Sequence, residues 1–511
     1  METNQRKLGV ILSYISIAIS IGLGLFQVPI YLSLMGESEW GIYGAMGSIL
    51  ACFSVMDFGL SATIIRFYSK YRALKDKKNM ENILAICSIM YVILAIIAVV
   101  IGAIFYFYLD GWLGKRLSME QIYEAKQIYL VILLNIAVTI PSQLFNAVLN
   151  AHERFAFIKI LLIFQTILQF ISVVAVLTRY PIALSLVIVQ TIFNILVIPI
   201  KVYYCFSKLK LKVKLHNIDK DLVKSILSFA FLIFLTSVVD QMLWRVNPLI
   251  IISEKGAIES AIYNIAFTIF TNYMLLSTVI SGVFLPKVTH MVATGVENDE
   301  LSRLFIRIGR IQFLLLSCVL TCFVLFGKQF VNIFTAGKVE SFESAYYITL
   351  LLIVPFTIDL IQNIGLTILQ AQNKIAFRTI VFLVMALTNI IVALKLVKIW
   401  GGIGCAFSTG LVFFIGNGIV MNYYYSKYIL LDIKGFWKEI FRISIVSIVC
   451  CILGITINFI SVFNPIINLG IKIMLYLVLY VVAMWMFAMN NYEKGIFKGI
   501  IHKIKYQLKR T

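Results

Sequence analysis

PIYLSLMGESEWGIYGAMGSILACFSVMDFGLSATIIRFYSKYR, from Pro29 to Arg72, is the stretch on which the reading of the chain turns. It holds the end of one apolar run, a short acidic turn from Gly36 to Gly41, a second apolar run with Asp57 inside it, and the start of a basic stretch from Arg66 to Lys78. Two apolar runs joined by a tight polar turn, with cations at one end, describe a pair of membrane-crossing helices. A hydrocarbon core roughly 30 Å thick needs about 20 apolar residues per crossing. The rest of the 511 residues extends the pattern: 61% are hydrophobic and 13% charged, with a mean hydropathy of +0.95. Soluble domains carry about 25% charged residues, so a soluble globular protein is excluded. Only helices or closed barrels satisfy their backbone in lipid, and runs this long lack the alternation of barrel strands. The expected fold is an all-α integral membrane protein of about fourteen transmembrane helices.

Six spans are expected near 8–35, 42–66, 83–109, 127–149, 158–178 and 182–206, and six more near 223–252, 260–286, 309–335, 344–371, 376–397 and 402–426. The last two fall near 438–461 and 466–490. The first run is too long for a signal-peptide core and shows no small-residue cleavage pattern, so it reads as an uncleaved span. Lysines and arginines alternate by connection. Arg6–Lys7, Arg66–Lys78, Arg154–Lys159, Lys201–Lys224, Lys287–Arg310, Lys374–Arg378, Lys427–Arg442 and the tail from Lys494 hold 33 of the 44, the opposite connections hold 9, and Arg245 and Lys472 lie within spans. The cation-rich side is the cytoplasmic one, which puts both termini in the cytoplasm.

A repeat organises the spans. LNAHERFAF at Leu149–Phe157 aligns with LQAQNKIAF at Leu369–Phe377, and the same offset carries Gly36 to Gly256, Ile42 to Ile262 and Tyr43 to Tyr263. An even number of spans per copy means that both copies face the same way. The expected organisation is an N-lobe over residues 1–206, a cytoplasmic linker over 207–222, a C-lobe over 223–426, two further spans over 427–491 and a basic amphipathic tail over 492–511. These two pseudo-symmetric six-helix lobes imply a twofold axis along the membrane normal and a substrate path between lobes. The linker, KLKLKVKLHNIDK at Lys208–Lys220, alternates lysine with apolar residues and reads as extended chain against lipid headgroups. In the tail, Ile496, Ile500, Ile501, Ile504 and Leu508 fall at helical spacing between lysines, the pattern of a basic interfacial helix on an anionic leaflet.

Several classes of function are set aside. The net charge of +20 sits in short connections beside spans, which is membrane topology and not a nucleic-acid surface. Eight cysteines lie in or at the ends of apolar runs without a CxxC pair, and four histidines are scattered, so neither a metal site nor a cofactor is expected. No GxxxxGK[ST] loop and no large soluble segment occurs, so the chain reads as a non-enzyme whose work draws on gradients.

The informative residues are charges inside spans, each costing a few kcal/mol at a helix centre, so they face a bundle interior or a wet cavity. Asp57 lies about 13 Å inside the cytoplasmic end of span two. Asp240 and Arg245 occupy span seven beside Trp244, Asn247 and Pro248; Asp359 lies midway along span ten near Gln362 and Asn363; Lys472 is near the start of span fourteen. Arg66 either snorkels to headgroups or meets an anionic substrate at the mouth. Either these charges pair across helices to fix packing, or Arg245 meets an anionic headgroup while an aspartate titrates or binds a coupling ion. Pro248 and Pro355 are expected to interrupt their helices.

The opening stretch resembles that of bacterial polysaccharide-biosynthesis membrane proteins, the lipid-linked oligosaccharide (O-antigen unit) flippases. These belong to the exporter superfamily that includes multidrug extruders and peptidoglycan-precursor flippases. The resemblance lies in Pro29, Gly41-Ile42-Tyr43-Gly44, Asp57-Phe58-Gly59-Leu60, Arg66, and the LNAHERFAF segment with its echo at 370–374. It implies a two-lobe exporter of the bacterial plasma membrane that alternates access and carries an undecaprenyl-diphosphate-linked sugar repeat for surface polysaccharide assembly. It also implies a lumen in which Asp57, Asp240, Arg245 and Asp359 face substrate. Expected partners are the lipid-linked oligosaccharide, membrane lipids, a coupling proton or sodium ion, and a polysaccharide polymerase or chain-length complex. The alternatives are a proton- or sodium-coupled extruder of organic cations, a peptidoglycan-precursor flippase, and a non-transporting scaffold of a glycan-assembly complex.

Overall fold

The computed structural model describes residues 2–495 other than 115, 218, 219, 336, 338, 373 and 461–463; most of the expected tail helix lies outside the described residues. The elements are helices: α1 (Glu2–Phe53), α2 (Leu60–Ala73), α3 (Lys77–Leu113), α4 (Met119–Ala151), α5 (Phe155–Leu177), α6 (Ala183–Tyr203), α7 (Lys220–Lys255) and α8 (Ala257–Ala293). They continue with α9 (Asn298–Phe334), α10 (Val339–Ile361), α11 (Asn363–Ala371), α12 (Ile375–Ile415), α13 (Asn422–Lys427), α14 (Ile433–Gly454) and α15 (Pro465–Ala483). No strand occurs among the described residues.

Eleven helices among the described residues are long and apolar enough to cross a membrane. Two of them are double. The rod Ala18–Phe53 bends at Gly36, where φ is 85°, and the rod Ile375–Lys427 bends at Gly401, where φ is 58°. Only glycine enters that region without a steric penalty, so each bend turns one rod into two crossings. With the 37-residue α8, the crossings are the fourteen that the apolar runs imply. Helix starts carry their own signals. Asp76 caps α3 by accepting from Asn79 N, Ser118 and Gln121 form a capping box on α4, and Asn464 caps α15 with Pro465 in its first turn.

Three expectations are corrected. Pro248 and Pro355 do not interrupt their helices; both lie inside continuous α7 and α10. A membrane helix accommodates proline when neighbouring groups re-satisfy the freed carbonyl. The breaks fall elsewhere: span two divides between Phe53 and Leu60, and span ten at Gln362. Arg310, counted above among loop cations, is 2% exposed inside α9.

The chain forms two compact units. The first comprises Met1–Asn264 with Ile390–Cys405, the second Ile265–Asn389 with Ala406–Thr511. Lipid tails are as apolar as leucine, so close packing and hydrogen bonds must hold helices together. In the first unit the absent side chain of Gly102 on α3 leaves room for Leu133 of α4, and the Tyr129 hydroxyl donates to the Gly102 carbonyl at 2.9 Å. The linker residues 209–217 have no regular structure; Leu211 is buried, and Asn82 Oδ1 accepts from His216 N at 3.2 Å and Asn217 N at 3.3 Å. In the second unit α9 packs against α10, α14 and α15. Its Arg310 donates to Glu493 at 2.7 and 2.9 Å and to the Ala488 carbonyl at 2.9 Å, and also pairs with Glu439.

The repeat is written in the backbone. Gly36 and Gly256 both have positive φ, 85° and 92°, and so do Lys210 and Leu430, at 50° and 61°. Arg154 N donates to Leu149 O at 3.0 Å, and Lys374 N to Leu369 O at 2.8 Å. Phe157 stacks on Tyr204 at 4.1 Å as Phe377 stacks on Tyr424 at 4.0 Å. Each pair recurs at the offset that joins Leu149 to Leu369.

Candidate functional site

The break in span two builds the site. After α1 a single 3₁₀ turn, Ser54–Asp57, leads to Phe58 and Gly59, both left-handed at φ 51° and 71°. The turn delivers the Asp57 carboxylate to the start of α2, where Ser61 N donates to Oδ2 at 3.3 Å and the Ser61 hydroxyl to Oδ1 at 2.8 Å. The Tyr91 hydroxyl of α3 donates to Oδ1 at 2.7 Å. The Phe58 ring packs on Phe234 of α7 with centroids 4.4 Å apart, and Gly59 abuts the same helix.

Asp57 borders a cavity of about 510 Å³ within the first unit, within the range of small-molecule sites. Its apolar floor includes Leu50, Phe53, Ile136, Ile140 and Val197. One wall comes from α4, where Asn135, Thr139, Ser142, Gln143 and Asn146 all line the space. These residues follow i, i+4, i+7, i+8 and i+11 and so share one helix face. Gln165 of α5 and Asn194 of α6 continue the wall, with Gln165 Nε2 donating to Asn194 Oδ1 at 3.0 Å. Lys201 of α6 and Arg245 and Gln241 of α7 complete the lining. Two cations and one carboxylate leave the lining positive by one charge, and the carboxylate already accepts from Tyr91 and Ser61.

Of the residues singled out by charge, Asp57 and Arg245 therefore meet at one cavity. Asp240 is exposed on α7, and Arg66 is exposed on α2 with its guanidinium 5.7 Å from the Phe67 ring. Asp359 belongs to the second unit, with Oδ1 3.9 Å from Arg378, whose guanidinium lies 4.0 Å from the Phe382 ring. Lys472 is buried in the second unit at 7% exposure, its ammonium 3.5 Å from Gln329 Oε1. Lys201 was counted as a loop cation and lies in the last turn of α6. The carboxamides carry no charge to single them out in the sequence; the polar stripe along an otherwise apolar α4 is their signal. Among the described residues no cluster of three or more His, Cys, Asp or Glu side chains could hold a metal ion.

A bundle of apolar helices enclosing a polar, cation-bearing cavity defines the class, a multi-span membrane protein. Residues 8–292 match the model of the polysaccharide biosynthesis protein family, and the chain belongs to that family. Solved structures of similar fold include the lipid II flippase MurJ in an inward closed conformation, with a TM-score of 0.73 and 18% identity over 93% of this chain and 99% of that one. An inward-facing multidrug resistance MATE family transporter of the MOP superfamily gives a TM-score of 0.62 and 12% identity, covering 84% and 99%. A MOP superfamily transporter from Pyrococcus furiosus gives 0.58 and 14%, covering 83% and 96%. No curated protein matches the sequence.

Proposed function

We propose that this protein is a flippase that carries a lipid-linked saccharide across the bacterial plasma membrane for surface polysaccharide assembly. The lipid would be an undecaprenyl diphosphate. The observation that carries the reading is the cavity of the first unit, where Arg245 and Lys201 stand beside six carboxamides among apolar helices. A diphosphate needs cations, and a low-dielectric wall strengthens their attraction. A polar head crossing hydrocarbon needs a wet, hydrogen-bonding passage. Family membership and the fold shared with a lipid II flippase support the same reading.

In this mechanism Arg245 and Lys201 hold the diphosphate while the isoprenoid tail stays in lipid, and two six-span lobes alternate access around it. Extrusion of organic cations is less well served: the Asp57 oxygens are already occupied by Tyr91 and Ser61, and the other charged side chains lining the cavity, Lys201 and Arg245, are positive. The test is reconstitution into liposomes with fluorescent undecaprenyl diphosphate-N-acetylglucosamine. Protein-dependent movement between leaflets is expected, slowed by Arg245→Glu and only partly by Arg245→Lys. No movement above protein-free liposomes overturns the reading.

A further inference from the structure

We infer that the carboxamide wall of this cavity is a subsite for an uncharged sugar ring, separate in role from the cations that meet the phosphates. The inference rests on the flippase reading and adds the part of the substrate that the wall would recognise. A sugar hydroxyl donates one hydrogen bond and accepts others, so its complement is a surface that presents donors and acceptors side by side. A carboxamide offers both on one planar group, with two N–H donors and a carbonyl acceptor.

The wall presents them in joined pairs. Asn146 Nδ2 donates to Gln143 Oε1 at 2.8 Å, and Gln165 Nε2 donates to Asn194 Oδ1 at 3.0 Å. Each such bond fixes two side chains in orientation and still leaves a carbonyl on one partner and an N–H on the other. Across the cavity, the buried Gln241 Oε1 has no hydrogen-bond partner among the described residues. A buried acceptor left unmade costs free energy, and an incoming hydroxyl would satisfy it. Ile136, Ile140 and Val197 line the same cavity and suit the C–H face of a pyranose. From Asn135 to Asn146 the polar face of α4 runs about 16 Å, longer than one ring. Carboxamides carry no net charge and pair with donors and acceptors alike, so the wall suits hydroxyl and acetamido groups, while recognition of the phosphate charge stays with Arg245 and Lys201.

The test compares two probes on the purified full-length chain in detergent: undecaprenyl diphosphate, and the same lipid bearing one N-acetylglucosamine. Binding is read by native mass spectrometry, and the quantity of interest is the ratio of the two affinities. The unsubstituted protein is expected to prefer the sugar-bearing lipid. Gln165→Leu with Asn194→Leu is expected to cut that preference roughly tenfold, the effect of losing one or two hydrogen bonds. Gln241→Leu, which removes no internal bond that the described residues make, gives an independent reading if the double variant folds poorly, and the preference is again expected to fall. An unchanged ratio in a folded variant overturns the inference, as does an unsubstituted protein that binds both lipids equally. A protein that binds neither lipid sinks the flippase reading itself, a result distinct from the previous two.

Discussion

Replacing Asp57 by alanine removes three hydrogen bonds at the break in span two: from the Tyr91 hydroxyl at 2.7 Å, the Ser61 hydroxyl at 2.8 Å and Ser61 N at 3.3 Å. Tyr91 is 0% exposed, so its hydroxyl falls back on Ser61 Oγ, 3.0 Å away. A hydrogen bond to a charged group contributes about 1.5–3 kcal/mol, and a lost helix cap costs about 1 kcal/mol. With Ser61 recovering part of the Tyr91 contribution, the expected loss is about 3 kcal/mol. Asp57→Asn keeps the Oδ1 acceptor for the Tyr91 and Ser61 hydroxyls, but gives up the charge assistance and the longer bond from Ser61 N to Oδ2, about 1.5 kcal/mol together. All eight cysteines are free and at least partly buried, so a thiol-reactive fluorogenic dye follows unfolding of the detergent-purified protein. The expected melting order is wild type, Asp57→Asn, then Asp57→Ala, with the alanine deficit about twice the asparagine one. An alanine variant that melts with the wild type would refute the assignment of Asp57 as cap and acceptor. An asparagine variant as unstable as the alanine one would shift the weight to the charge itself.

Gly59→Ala forces alanine to a φ of 71° and sets its Cβ 2.7 Å from Ala230 O and 2.8 Å from Ile233 Cβ. A loss of about 2–4 kcal/mol is expected from the left-handed penalty and the contacts, read by the same dye melt. His152, just beyond α4, has its pKa lowered from 6.5 to about 4, first by burial and then by Arg72 and Arg154. The unfolded chain therefore binds the extra proton, so the contribution is complete above pH 6.5 and is lost as pH falls toward 4. Between pH 7 and 5 this amounts to about 1 kcal/mol after discounting for solvent screening, and His152→Gln should melt with a flatter pH dependence. Arg310→Met leaves Glu493, 1% exposed, without its cation, an expected loss of about 3–5 kcal/mol. Adding Glu493→Gln should restore most of the melting temperature, and a double variant no more stable than the single one would contradict the pairing.

Apolar runs made the helical membrane fold legible, because hydrocarbon thickness leaves few alternatives for segments of that length. The duplication was legible as well, through Gly36 and Gly256 and through the aligned segments at Leu149 and Leu369. Breaks within spans were not. Hydropathy averages over Asp57-Phe58-Gly59, and the left-handed pair there depends on a glycine that also sits against α7. The prolines misled for the converse reason, since a ring inside a membrane helix need not end it. The cavity was half legible. Charges within spans led to Asp57 and Arg245, whereas Lys201 was hidden among loop cations and the carboxamides carry no charge to draw notice. Asp359 and Lys472 obey the same rule about buried charge and belong to the second unit, because burial cost alone does not say which polar neighbours surround a residue.

The duplicated frame also shows where the copies diverged. Asp57 and Ser61 correspond by the repeat to Ser277 and Ser281, and Tyr91 falls one residue from the counterpart of Gln312. In the later copy Gln312 Nε2 donates to Ser277 Oγ at 3.0 Å and Ser281 Oγ at 2.7 Å, and Ser277 Oγ donates to Leu360 O at 2.9 Å. Ser277, Ser281 and Gln312 are 0%, 6% and 0% exposed. Both copies thus spend a serine one turn along the helix and a polar partner from another helix on one knot. The later knot is neutral and buried, and Gln312 Oε1 is left there without a partner among the described residues. The earlier one carries a carboxylate, which such an interior would not tolerate without compensation, and it borders a cavity. The aspartate at this position and the polar space beside it therefore belong together physically: the charge is kept where it can be solvated.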